Sequence, residues 1–228
     1  YAGGSLPNLV AELETRLTGS SPFGRLHTAL RGEIPDASTY VLLLFDGLGS
    51  LQLDHPAAAP LRDALRSSVD SPFPATTTVS LATVATALPP SQHGLLGYQS
   101  WIPEVDQVVN TIKWTTLRGK PVDYDTSSLL PSPNLWERLA AAGVEPITVQ
   151  PGNFTGTPLS KALYRGCRIE PAFTLDEVVD ATVQMAADPR RRVFTYVPHV
   201  DFAAHVYGQV SDEYTAALAT VAWVWERV

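Results

Sequence analysis

The chain has a single cysteine among 228 residues, Cys167, which excludes an internal disulfide and fits a reducing compartment such as the cytoplasm. It has no run of Lys or Arg longer than the three arginines at 190–192, and 16 basic residues against 23 acidic ones leave a formal net charge of -7 and a pI of about 5.1. Stable binding to a nucleic-acid backbone, which depends on clustered positive charge, is therefore not expected. Small phosphate esters stay open as ligands, because a bound metal ion can supply positive charge locally. No apolar stretch approaches about 18 uncharged residues, so no membrane-spanning helix is expected. The opening YAGGSLPNLVAEL lacks the basic region and apolar core of a secretory signal, although a signal already removed would leave no trace. What the chain does have is apolar mass: 45% hydrophobic residues suffice for the core of one large α/β domain spanning 1–228.

Strand and helix signals alternate along it. Residues 6–17 carry Leu9, Val10, Leu13 and Leu17 at helical spacing. The short apolar run 40–45, YVLLLF, reads as a parallel strand covered on both faces. A helix is expected over 57–66 with Pro60 in its first turn, and a strand near 68–72. Residues 80–88 read as a helix stopped by Pro89 and Pro90, its first turn formed by the preceding threonines. Further helices are expected over 134–142, 174–187 and 211–228, with strands over 146–149 and 192–197. This alternation predicts a three-layer α/β fold, a mostly parallel central sheet with helices on both faces. Residues 97–131, with Trp101, Trp114 and few clear periods, fit it poorly and read as an insertion or a cap.

Three segments carry potential chemistry. In FDGLG, Asp46 follows the first apolar strand and precedes Gly47 and Gly49, so the chain turns and presents a carboxylate at the strand end, where open α/β sheets build their sites. An isolated Asp there could equally cap a helix. In VDFAAHVYG, Asp201 and His205 lie four apart and share one face if the segment is helical, a spacing suited to one divalent ion or, alternatively, to a capping Asp beside a packed His. Between them, Thr76, Thr77 and Thr78 open a helix, whose N-terminus favours a phosphate and could equally be a Thr-rich cap.

Together FDGLG, the block FPATTTVS to HG and YVPHVDFAAHVYG resemble the three N-terminal motifs of the alkaline phosphatase superfamily, and within it the nucleotide pyrophosphatase/phosphodiesterase family. That family's threonine block runs F-P-x-x-T-x-P-N-H and ends T-G-L-x-P-x-x-H-G; counting back from His93 and Gly94 places the nucleophile at Thr77. By this resemblance Asp46 and Thr77 ligate one metal ion, and Asp201 and His205 the other. Zinc is the first choice for such a mixed carboxylate and imidazole set, with manganese, magnesium or calcium as alternatives. Tyr196 matches an aromatic position that stacks on a nucleobase in several relatives. Thr78 replaces the aromatic residue that often follows the nucleophile. Val79, Ser80 and Leu81 replace the P-N-H triplet, so Ser80 stands where the family asparagine helps bind a phosphate oxygen. The Cys or Ser x-Pro-x-Arg nucleophile pattern of sulfatases is missing.

The resemblance implies a metal-dependent hydrolase of phosphodiester or nucleotide pyrophosphate bonds, acting on a small phosphate ester or nucleotide. The alternatives are a phosphomonoesterase or phosphonate hydrolase of the same superfamily, or an inactive fragment or metal- or nucleotide-binding module. The family completes its two-metal site with an Asp-His-Gly motif and a further histidine C-terminal to the D-x-x-x-H segment, and nothing from 206 to 228 matches them. The chain is therefore expected to be C-terminally incomplete, the N-terminal portion of the family domain, with half a ligand set for each ion.

Overall fold

The computed structural model describes residues 1–228. In chain order its principal elements are α1 (Leu6–Thr18), β1 (Thr39–Phe45), α2 (Thr77–Thr86), β2 (Gln99–Ile102), β3 (Gln107–Asn110), β4 (Thr115–Thr116), α3 (Leu135–Ala141), β5 (Glu145–Pro151), β6 (Arg168–Ala172), α4 (Leu175–Ala186), β7 (Arg191–Val197), α5 (His199–Tyr207) and α6 (Asp212–Arg227). They form an α/β fold with a parallel central sheet, and they divide between two compact units.

One unit comprises Tyr1–Ser38, Val69–Pro146 and Phe154–Arg168. Here α1, α2 and α3 pack on one another through Val10, Leu13, Val79, Ala82, Leu135 and Leu139, all buried. Helical periodicity locates α1 but gives no sign that Glu12 and Glu14 are buried beside those apolar positions. Each carboxylate is compensated. Glu12 accepts two hydrogen bonds of 2.7 Å from Arg25 and one of 2.8 Å from Arg16, and chiefly the Arg25 bonds hold it below the usual carboxylate range. Glu14 accepts from Arg138 Nε at 2.6 Å and Nη2 at 3.0 Å, while Arg138 also donates to the Thr86 carbonyl at the end of α2. One guanidinium thus ties all three helices together.

The strand expected near 68–72 does not form. Only an isolated parallel bridge joins Asp70 to Ser5, with Leu6 N–H donating to the Asp70 carbonyl and Asp70 N–H to that of Gly4, both at 2.8 Å. Residues 97–131 have a small sheet of their own, antiparallel in the order β2-β3-β4. Its core is Ile102, Val109 and Trp114, with Trp114 stacked on Tyr124 at a centroid distance of 5.4 Å.

The other unit comprises Thr39–Ser68, Ile147–Asn153 and Ile169–Val228. Its four-stranded sheet has the order β1-β7-β5-β6, and β1 pairs with β7 in parallel register from Thr39 opposite Arg191 to Phe45 opposite Val197. Along β7 Val193 and Val197 join a core made with α4, α5 and α6 through Val178, Met185, Val200, Leu218 and Val221. The alternate residues Phe194 and Tyr196 are buried as well, so both faces of β7 are covered.

β1 differs from its expectation. Only Tyr40 is buried and its six other residues are half-buried, because β1 lies at the sheet edge with β7 on one side alone. The helix expected over 57–66 shortens to a 3-10 turn, Pro56–Ala58, and a single helical turn, Ala59–Asp63. The remaining expected elements form within three residues of their expected ends. Capping boxes at Asn134 with Glu137 and Thr174 with Glu177 start α3 and α4, and the Ser211 hydroxyl accepts the Tyr214 amide hydrogen to start α6.

Candidate active site

The carboxylates singled out in the sequence meet at the carboxyl ends of two paired strands. Phe45 ends β1 and Val197 ends β7, in register, and the next residue after β1, Asp46, extends the pairing by donating its backbone N–H to the Val197 carbonyl at 3.0 Å. Beyond β7 the chain turns into α5, whose first turn contains Asp201. The Asp201 backbone N–H donates to the Asp46 carbonyl at 2.9 Å. This contact needs the glycine between them in the first motif. Gly47 has φ of 77°, and a Cβ there would lie 2.6 Å from the Asp201 nitrogen and 2.7 Å from its Cα. Two features thus demand glycine, a left-handed backbone and the absence of any room for a side chain.

The side chains follow. Asp46 Oδ2 accepts from the Tyr196 hydroxyl at 2.6 Å and Oδ1 from the Gly47 N–H at 3.1 Å. Asp201 is two-thirds buried. Burial first, and then the negative charge of Asp46, push its carboxyl above the usual range, and His205 opposes the shift. His205 lies one helical turn on and exposed, its Nε2 3.5 Å from Asp201 Oδ1.

A divalent cation fits this donor set in kind. A carboxylate disfavoured by the charge of a neighbouring one, with an imidazole on the same helix face, is relieved by a positive ion. In number the set is short: no three or more His, Cys, Asp or Glu side chains converge to hold an ion.

The threonine cluster lies in the other unit. The threonines open α2 as expected, with Thr76 as N-cap, Thr77 as its first residue and Thr78 as its second. The N-cap side chain makes no capping bond, and the hydroxyls of Thr76 and Thr78 are buried without a hydrogen-bond partner. Thr77 and Ser80 are half-buried, whereas Thr78 is only 1% exposed. A helix N-terminus whose cap does not satisfy its own first turn is suited to an anion.

His93, in the turn that ends the threonine block, braces this helix. Its Nδ1 accepts the Leu95 N–H at 3.2 Å, which leaves Nε2 as the protonated nitrogen, 3.2 Å from the Thr83 hydroxyl on α2. Burial lowers its pKa to about 4, so the ring is neutral at pH 7.

The structure thus brings Asp46, Asp201, His205 and Tyr196 together, and sets Thr77, Thr78 and Ser80 together on the opening turns of α2. Tyr196, expected to stack on a nucleobase, lies within β7 beside Asp46. The ring is 5% exposed, on a strand covered on both faces, and its hydroxyl is committed to Asp46. The contact was missed because strand alternation does not report which strand lies alongside. Gly47 was read as a turn former, and its close approach to Asp201 also needed the pairing of β1 with β7.

The family model for type I phosphodiesterase / nucleotide pyrophosphatase matches residues 40–224. Among solved structures the chain is similar to murine ectonucleotide pyrophosphatase/phosphodiesterase 5, in an inactive form in complex with AMP, at 15% identity and a TM-score of 0.60, covering 82% of this chain and 50% of that one. It is also similar to phosphonoacetate hydrolase from Sinorhizobium meliloti in complex with phosphonoacetate, at 16% identity and a TM-score of 0.54, covering 82% and 52%. The chain therefore spans about half the length of these solved relatives. A search of curated protein sequences finds no match.

Proposed function

Because the chain belongs to the type I phosphodiesterase / nucleotide pyrophosphatase family, we propose that it hydrolyses phosphodiester or nucleotide pyrophosphate bonds with Thr77 as nucleophile. The observation that carries this reading is the Asp46 and Asp201 pair, locked backbone to backbone at the ends of β1 and β7 with His205 one turn further on. Asp46 and Thr77 are the proposed ligands of one divalent ion and Asp201 and His205 those of a second, with zinc the first choice. A bound ion lowers the pKa of a coordinated hydroxyl and offsets the charge of a phosphate.

The residues of the chain then have separate tasks. The Thr77 hydroxyl gives up its proton to solvent and its oxygen forms a bond to phosphorus as the bond to the leaving oxygen breaks, the leaving oxygen taking a proton from solvent, which leaves a phosphodiester joining Thr77 to the retained part of the substrate. Water attacks that phosphorus in the second step, restoring the Thr77 hydroxyl and releasing the phosphate product. The amide hydrogens of the first turn of α2 stabilise the phosphate oxygens, with Ser80 as a further donor. The net negative charge of the chain, -7, suits a small substrate bound by local positive charge rather than a polyanionic polymer.

The test is hydrolysis of bis-p-nitrophenyl phosphate, p-nitrophenyl phosphate and phosphonoacetate by the zinc-supplemented protein and its Thr77→Ala variant. Diester turnover lost in the variant is the expected result. Preference for the monoester or the phosphonate would move the substrate class to the alternatives, and equal turnover by the variant would reject Thr77 as nucleophile.

A further inference from the structure

Tyr196 is a phenol in a position where an apolar ring would satisfy the packing. It lies on β7, buried between Thr195 and Val197, with the apolar Phe194 before it on the same face of the strand. A buried phenolic hydroxyl needs an acceptor, and the sheet register determines which one is in reach. Tyr196 pairs with Leu44 on β1, and side chains two residues apart on a strand share a face, so Asp46 falls on the same side as Tyr196. The resulting bond is 2.6 Å, the length of a charge-assisted O–H to carboxylate contact. The Gly47 N–H holds the other oxygen of the same carboxylate. Both oxygens of Asp46 are therefore oriented by groups on either side.

We infer that Tyr196 is a positioning residue for Asp46: its hydroxyl fixes the rotation of that carboxylate so that Asp46 meets a divalent cation without first being ordered by it. The inference rests on the proposed role of Asp46 as a metal ligand. A ligating carboxylate that is already hydrogen-bonded loses less freedom on binding, and removal of such an outer partner typically weakens metal binding about 10- to 100-fold. Phenylalanine at 196 keeps the ring and removes only the donor.

The test measures zinc affinity by competition with a chromogenic chelator for the full chain, Tyr196→Phe, Asp46→Asn and the double variant, with metal-free thermal unfolding recorded for each. The expected result is a loss of affinity of about 10-fold or more in Tyr196→Phe, with a metal-free transition that remains cooperative, and no further loss when the substitution is added to Asp46→Asn. Wild-type affinity in Tyr196→Phe alongside a loss in Asp46→Asn would overturn the positioning role alone. Absence of zinc binding by the wild type, or no effect of Asp46→Asn, would overturn the ligand reading and this inference with it. If Tyr196→Phe lost its cooperative transition, an equal loss of affinity in a variant destabilised elsewhere, such as Val221→Ala in α6, would assign the effect to folding and overturn the inference.

Discussion

Asp201 donates its backbone N–H to the carbonyl of Asp46 at 2.9 Å, so two residues 155 positions apart are joined through their main chains before their side chains do any chemistry. The contact is open only because residue 47 has no Cβ. In Gly47→Ala the left-handed backbone alone costs about 1–3 kcal/mol, and the collision with Asp201 adds to it. Urea unfolding should show a loss of at least that size, and diester hydrolysis should fall with it. A variant of wild-type stability would mean that the two segments separate freely.

Thr77→Ala should lower diester turnover by about 10³-fold or more, because the group that carries the phosphoryl is removed and not merely weakened. Ala is a good helix former, so thermal unfolding should change little. Thr77→Ser, which keeps a hydroxyl, should retain part of the activity. Equal activity in Ala and Ser variants would exclude a covalent step at this residue.

Loss of the Arg138 guanidinium should be severe, since Arg138→Ala leaves the Glu14 carboxylate buried without its main counter-charge. Breaking a buried pair in this way costs about 3–5 kcal/mol. Denaturant unfolding should show this, and the paired change Glu14→Gln with Arg138→Met should cost less than Arg138→Ala alone. A smaller effect of Arg138→Ala than of the paired change would show that the ion pair does not hold α1, α2 and α3 together.

His93 gives a pH dependence of definite sign. Its folded pKa is lowered by burial from the usual 6.5 to about 4, so between these values the unfolded chain binds a proton that the folded chain excludes. Stability is fully present above pH 6.5, falls as pH drops toward 4, and loses no more from this group below that. The shift corresponds to about 3 kcal/mol. Burial lowers the pKa of His199 in the same direction, so the measurement is a difference. Stability of the wild type minus that of His93→Gln, taken from urea unfolding across pH 4 to 7, should rise with pH over that window. A flat difference would mean that folding leaves the His93 pKa unshifted, and a difference that falls with pH would mean that the fold raises it.

Chelation offers a separate check on the metal requirement. Treatment with excess EDTA should abolish diester hydrolysis, and added zinc should restore it. Turnover that survives exhaustive chelation would remove the metal from the mechanism.

The motifs were legible because each is local. Asp46 and Gly47 are adjacent, Asp201 and His205 are one helical turn apart, and the register of Thr77 follows from a short count back to His93 and Gly94. Capping residues were equally readable at Asn134, Thr174 and Ser211, since a cap acts on amide hydrogens three residues away. The apolar period of α2 shows only from residue 80 on, and its first turn is read instead from the threonines at 76–78, hydroxyl residues that favour a helix start. The strand expected near 68–72 rests on its place before the threonine block and not on an apolar run, and only a bridge forms there, while the helical signal over 57–66 extends to a single turn.

By itself the sequence determined the α/β alternation, the strand-end carboxylates, the helix that bears Thr77 and the glycines that permit sharp turns, all consequences of periodicity and of what a residue can do within a few positions. Only the tertiary structure decided that β1 lies at an edge, that Glu12 and Glu14 are buried against arginines, and that the Tyr196 hydroxyl reaches Asp46. Those outcomes depend on which strand or helix lies alongside, a fact of sheet order and burial that no spacing within one segment encodes.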